Sequence, residues 1–144
     1  MPATREETWL GLRPLAAEQR ATPQLVRRAY LTLRFGLCTL FAVTGFDKFA
    51  QVLTRWPDQV APELSRVTAF GPYLLTRLAG LAEIAAALLC AVRPRIGGWV
   101  LAGWLAGAVM NRLMLGQGYD VAMKDGALAL AAVALARLAA YYER

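Results

Sequence analysis

The sequence has no histidine and only two cysteines, Cys38 and Cys90. The first absence removes the usual haem and copper ligands and most imidazole acid–base schemes. The second leaves no Cys-x-x-Cys pair for thiol–disulfide exchange. Two isolated thiols in apolar stretches read as buried free cysteines. No phosphate-binding glycine loop is present either. The glycines of "RIGGWVLAGWLAG", residues 95–107, fall inside an apolar run and suit helix packing. Charge is sparse at 18%, against about a quarter in soluble domains. The first 24 residues lack the long apolar core of a cleavable signal peptide. No cluster of residues suggests a metal site.

What is present is apolar and comes in blocks. Hydrophobic residues make up 58% of the chain, and the mean hydropathy is +0.40. The runs 29–50, 73–92, 96–115 and 126–142 are each close to the ~20 residues that cross a ~30 Å hydrocarbon core. None shows the full polar face of an amphipathic helix in a soluble bundle. The expected fold is all-α: an integral membrane bundle of four transmembrane helices with antiparallel up-down topology. It occupies residues 25–144, behind an amino-terminal segment, 1–24.

The net charge of +6 reports orientation rather than a nucleic-acid partner. Arg5, Arg13, Arg20, Arg27 and Arg28 precede the first run, Arg93 and Arg95 fill the tight loop after the second, and Arg144 ends the chain. Positive residues concentrate on the cytoplasmic side, so both termini are expected there. Within residues 1–24, Thr4-x-x-Glu7 resembles a capping box opening a short helix that Pro14 would limit. Trp9, Leu12 and Ala16 would then share one face, on the membrane surface or against a partner.

Thr22-Pro23 makes a good helix start, from which the first span would run to about Leu53. Val60, Leu64 and Val67 recur at helical spacing inside the loop 54–71, which predicts a short surface helix with Trp56 at the interface. Gly71-Pro72 starts the second span, Arg93-Pro94-Arg95 forces a short turn, and "GQGYD", 116–120, breaks the third helix. Asp120 is the candidate cap for the fourth.

Charged side chains inside these spans are the candidate chemistry. Asp47 and Lys48 close the first span, Arg77 and Glu83 lie in the second, Asn111 and Arg112 near the end of the third, and Asp120, Lys124 and Asp125 before the fourth. With these helix directions all of them fall in the outer half or at the outer rim. A charge at a helix centre costs about 2.5–3.5 kcal/mol on insertion scales, so Glu83 must face the bundle and find a donor, or else be protonated. Helical phase agrees. Gly80, Glu83, Ala87 and Cys90 share one stripe; Arg34, Cys38, Phe41, Gly45 and Lys48 share another; Gly103, Gly107 and Asn111 a third; Asp125, Ala129, Ala132 and Ala136 a fourth. Small residues at such spacing allow close helix approach.

Two readings follow. In one, ion pairs involving Asp47, Asp120, Lys124 and Asp125 fix helix register. In the other, a polar pocket opens outward: Glu83 is the catalytic, proton-exchanging carboxylate, while Lys48, Arg77, Asn111 and Arg112 bind substrate oxygens. Arg34 is expected to meet headgroups or a backbone carbonyl.

At these residues the chain resembles the DoxX family of small four-helix membrane proteins. The likeness rests on Arg34 in the first span, "GFDKF" (45–49) closing it, Gly80-x-x-Glu83 in the second, and Asp125 before an Ala/Leu-rich last helix. It covers roughly 27–142. It implies a bacterial-type inner-membrane protein associated with quinone-linked or oxidative-stress redox systems, with quinone the candidate cofactor. Partner subunits or a homo-oligomer are expected, within the lipid bilayer. The alternative is a non-catalytic accessory or assembly subunit, which the missing histidine and paired cysteines favour. A transporter is weaker, because no span shows a broken-helix interruption.

Overall fold

In the computed structural model, residues 12–142 are described, with side chains from residue 23 onward. Five α-helices and one 3-10 turn follow one another, with no strand among the described residues. Helix α1 spans Leu12–Ala50, beginning well before the expected Thr22-Pro23 start. The reason is local: the run Leu15–Ala21 consists of strong helix formers, and the helix runs on through Pro23, which has no N–H for the carbonyl four residues back. The suggested Thr4–Glu7 capping box, and the face shared by Trp9, Leu12 and Ala16, lie outside the described residues and side chains.

The chain forms two compact units, Met1–Thr32 and Leu33–Arg144. In the first, the described part is the leading portion of α1, with Leu25 and Leu31 exposed. The second holds everything that follows.

Helix α1 stops at Ala50, short of Leu53, because Gln51 turns into the left-handed region at φ 53°. Asp47 takes up the loose end, its Oδ1 accepting the Val52 and Leu53 N–H groups at 2.9 and 3.0 Å. The 3-10 turn Trp56–Gln59 and the expected short helix, α2 (Pro62–Thr68), make up the connection. Helix α3, Pro72–Val92, starts with proline at its first position after an extended Gly71. Helix α4, Pro94–Leu115, follows the tight Arg93 turn and ends at Gly116, φ 70°. Gly118, also left-handed at φ 75°, leads into α5, Tyr119–Tyr142. Asp120 thus lies in the first turn of α5 rather than at its cap.

Close helix approaches depend on missing side chains. A Cβ on Gly45 would lie 3.0 Å from the Gly80 carbonyl oxygen, and one on Gly80 would lie 2.8 Å from that of Gly45. So α1 and α3 cross in contact at these glycines. Gly97 lies against the Cys90 backbone and closes the α3–α4 hairpin; Gly98 brings α4 against Ala132 and Ala136 of α5. Leu101, Leu135 and Cys90 are the largest wholly enclosed side chains, in a core otherwise built largely from alanine. The Gly103–Gly107 stripe is different. Nothing lies within 4 Å of a Cβ built at either position, so these glycines leave space where close packing was expected.

Leu81, Leu88, Val92, Val100 and Leu130 are exposed on the outside of the helices. Three segments, Pro23–Ala50, Pro72–Val92 and Pro94–Leu115, are long and apolar enough to cross a membrane. Helix α5 has the length, 24 residues, while also carrying Asp120, Lys124, Asp125 and Arg137. The outward apolar residues are suited to lipid.

Candidate functional site

The centre of the second unit is Glu83, on the stripe of α3 that also buries Gly80, Ala87 and Cys90. Only 7% of Glu83 is exposed, and the same holds for Lys48, which faces it from α1. Lys48 reaches this position because the glycine crossing one turn earlier brings α1 against α3. Its Nζ lies 2.7 Å from Glu83 Oε2. Thr44, one turn back on the same face as Lys48, donates its hydroxyl to that oxygen at 3.1 Å. From α4, Trp104 Nε1 donates to Glu83 Oε1 at 3.0 Å. One carboxylate therefore ties three helices, with charge-assisted bonds of the stronger class.

A second layer surrounds the cation. The Trp56 ring covers Lys48, with Nζ 3.7 Å from its centroid, a cation–π contact. Trp56 in turn donates Nε1 to Asp47 Oδ2 at 2.6 Å. Asp47 was expected in an ion pair; it acts instead as acceptor for Trp56 and two loop N–H groups, which makes it the anchor of the connection after α1. Asn111 anchors the far end of that connection. Its Oδ1 accepts the Ala61 N–H at 2.9 Å, and its Nδ2 donates to the Gln59 carbonyl at 2.7 Å. The neighbouring Arg112 donates to the Gln59 side chain.

These groups border a cavity of about 800 Å³, a size common for small-molecule sites. Leu40, Phe41, Leu75, Ala79, Leu105 and Leu128 provide apolar wall, and the open space beside Gly103 and Gly107 belongs to it. Lys48, Glu83, Trp56, Trp104, Asn111, Arg112 and Asp125 supply polar atoms or charge along the lining. Val60 and Leu64, on the connection held by Asn111, cover one side.

Of the residues expected to form a site, Lys48, Glu83, Asn111, Arg112 and Asp125 are brought together around this space. Arg77 is not: it is exposed and does not line the cavity. Its phase explains this, since six residues before Glu83 on a helix puts it roughly 120° from the carboxylate. Asp120 and Lys124 form an exposed i,i+4 pair at 3.3 Å on the first turns of α5. That hydrogen bond, with one from the Val121 backbone, holds the Asp120 carboxyl below its ordinary range. Arg34 donates to the Ala91 carbonyl, the kind of partner expected for it. Cys38 and Cys90 are free and neighbour one another.

Sequence reasoning missed Thr44, Thr76, Gln59 and Trp104, and gave Trp56 an interfacial place only. Signals existed. An indole N–H in an apolar helix requires a partner, and Thr44 stands four residues before Lys48.

No curated protein and no solved structure matches the chain. Residues 29–116 match the model of the DoxX family. The matched stretch contains Lys48, Glu83, Trp104, Asn111 and Arg112, and ends before α5.

Proposed function

The chain belongs to the DoxX family, and from that premise we propose a four-span, antiparallel inner-membrane protein that binds a quinone-class molecule for a membrane redox system. The observation that carries this reading is the cavity of about 800 Å³ with apolar walls and the buried Lys48–Glu83 pair in its lining. A chain does not enclose two opposite charges in an apolar bundle without offsetting their desolvation. Here the offset comes from Thr44, Trp104 and Trp56, and the polar group so assembled borders a space large enough for a ring. With cytoplasmic termini, the orientation that the charge distribution supports, the cavity would lie in the outer half of the bilayer. A bound quinone supplies reversible electron and proton uptake. This chain's residues supply the dry walls, the donor Lys48 and the carboxylate Glu83, which sits where a proton would be exchanged.

Arg112 and Asn111 hold the covering connection in place, and so define the mouth of the cavity. Partner subunits would exchange electrons with the bound quinone. The experiment is to purify the protein in mild detergent, extract it with organic solvent and assay the extract for quinone. A near-stoichiometric amount is expected; an extract free of quinone, together with failure to bind added quinone, contradicts the reading.

A second reading is supported by a specific feature. All three donors around Glu83 come from its own bundle, tying α1, α3 and α4. An accessory subunit, with the pair as a clamp, would look the same at this point. Glu83→Gln separates the two. Retained activity of the surrounding complex despite lost thermal stability supports the clamp, and lost turnover below the variant's own melting temperature supports chemistry.

A further inference from the structure

Among the described residues, one buried hydroxyl in the cavity lining has no hydrogen-bond partner. Thr76, on α3, is 2% exposed and lines the cavity, yet its Oγ1 is buried without a hydrogen-bond partner. A threonine inside a helix ordinarily satisfies its hydroxyl on the carbonyl four residues back, and that bond is not made here. An unpartnered buried hydroxyl costs about 1–3 kcal/mol. At the wall of a cavity, such a cost is removed when a ligand brings the missing partner.

Position adds a second constraint. Thr76 precedes Glu83 by seven residues, two turns, which returns it to the same face of α3 within roughly 20°. Their Cα atoms are then about 10.5 Å apart along the axis. Two helical turns is the length scale of a six-membered ring with oxygens on opposite carbons and one hydrogen bond of about 2.8 Å at each end. At the deep pole Lys48 gives one N–H to Glu83 and has others to offer. The charges of the lining also select. Lys48 and Arg112 are matched by Glu83 and Asp125, so the cavity has no surplus charge for an anion.

We propose that Thr76 and the Lys48–Glu83 pair are the two poles of one site, and that it takes a neutral ring with opposed carbonyl or hydroxyl oxygens rather than a small oxyanion. This rests on the quinone-binding reading above and specifies its geometry. Thr76 contacts the shallow oxygen, Lys48 or Glu83 the deep one, and Leu75, Ala79 and Leu105 enclose the ring.

The test uses the full chain in mild detergent with two probes, a short-chain 1,4-benzoquinone and thiosulfate, read by quenching of the cavity tryptophans. Wild type is expected to bind the quinone saturably and not thiosulfate. Thr76→Val, which keeps the shape and removes the hydroxyl, should weaken quinone binding about tenfold, the loss of one hydrogen bond. Its melting temperature without probe should stay equal or rise, because the orphaned hydroxyl is gone. Thr76→Ser should restore binding. Quinone binding by Thr76→Val equal to that of wild type overturns the assignment of Thr76 while leaving the quinone reading intact. A markedly lowered melting temperature in Thr76→Val also overturns it, since the hydroxyl would then serve the fold. Saturable thiosulfate binding that excludes the quinone refutes the selection for a neutral ligand. No quinone binding by wild type removes the functional reading itself.

Discussion

Replacing Lys48 by methionine keeps the unbranched chain out to Cε and removes the terminal ammonium with its charge and donors. Glu83 then retains Thr44 and Trp104 but loses its 2.7 Å partner. Breaking a buried ion pair from one side costs about 3–5 kcal/mol, because a charge is left without compensation. The two remaining donors put the expected value near the lower end, about 3 kcal/mol. Glu83→Gln should cost about the same: its single carbonyl oxygen cannot serve Lys48, Thr44 and Trp104 together, and its amide N–H groups face an ammonium. The double variant Lys48→Met/Glu83→Gln contains neither charge. Its loss should therefore stay close to that of either single change, giving a coupling of about 2–3 kcal/mol. That is well above the ~0.6 kcal/mol average for interhelical polar contacts in a membrane. Titration of the four proteins with SDS, followed by tryptophan fluorescence and helical circular dichroism, measures the cycle. Single losses below about 0.5 kcal/mol, or losses that simply add, would refute the claim that this pair is a desolvated unit.

Other outcomes follow from the same geometry. Gly80→Ala puts a methyl group 2.8 Å from the Gly45 carbonyl and should cost about 1–3 kcal/mol; Gly107→Ala, with nothing within 4 Å, should leave the melting temperature near that of wild type. Asn111→Leu removes both bonds to the connection and should speed proteolysis between Gln51 and Phe70 while the helices stay folded. At the α5 end, Lys124 holds the Asp120 carboxyl down. The small stabilisation this gives is present above the ordinary aspartate range and lost as pH falls through the lowered value. Lys124→Ala should move the Asp120 titration upward, read by carbon-detected NMR.

Much of this arrangement was legible in residue spacing. The α3 stripe through Gly80, Glu83, Ala87 and Cys90 is buried along its length, as is the Phe41–Gly45–Lys48 stretch of α1. Both follow from the rule that a carboxylate amid apolar residues must face a donor. Helix starts at Pro72 and Pro94 were readable because proline fits the first turn. The start of α1 is less legible, because Pro23 has the signature of a first helical position while the helix formers before it carry the helix back to Leu12. Glycine spacing was a poorer guide: Gly45, Gly80, Gly97 and Gly98 make close approaches, whereas Gly103 and Gly107 face the cavity. A glycine repeat reports absent bulk, and whether a helix or a ligand uses the space depends on the partner surface. Depth alone puts Arg77 with Glu83, whereas helical phase separates them and picks out Thr76. The roles of Asp47, Trp56 and Gln59 arise from the path of a non-helical connection, where no periodicity constrains direction.

Native mass spectrometry of the protein taken from membranes in mild detergent, beside an Ala108→Phe variant, bears most directly on the bound-ligand claim. Ala108 lines the cavity, so the added ring should fill it. The expected result is a small neutral adduct of quinone mass on the wild-type chain that is absent from the equally folded variant. Identical spectra for the two proteins, with the same adduct or none, would contradict the account.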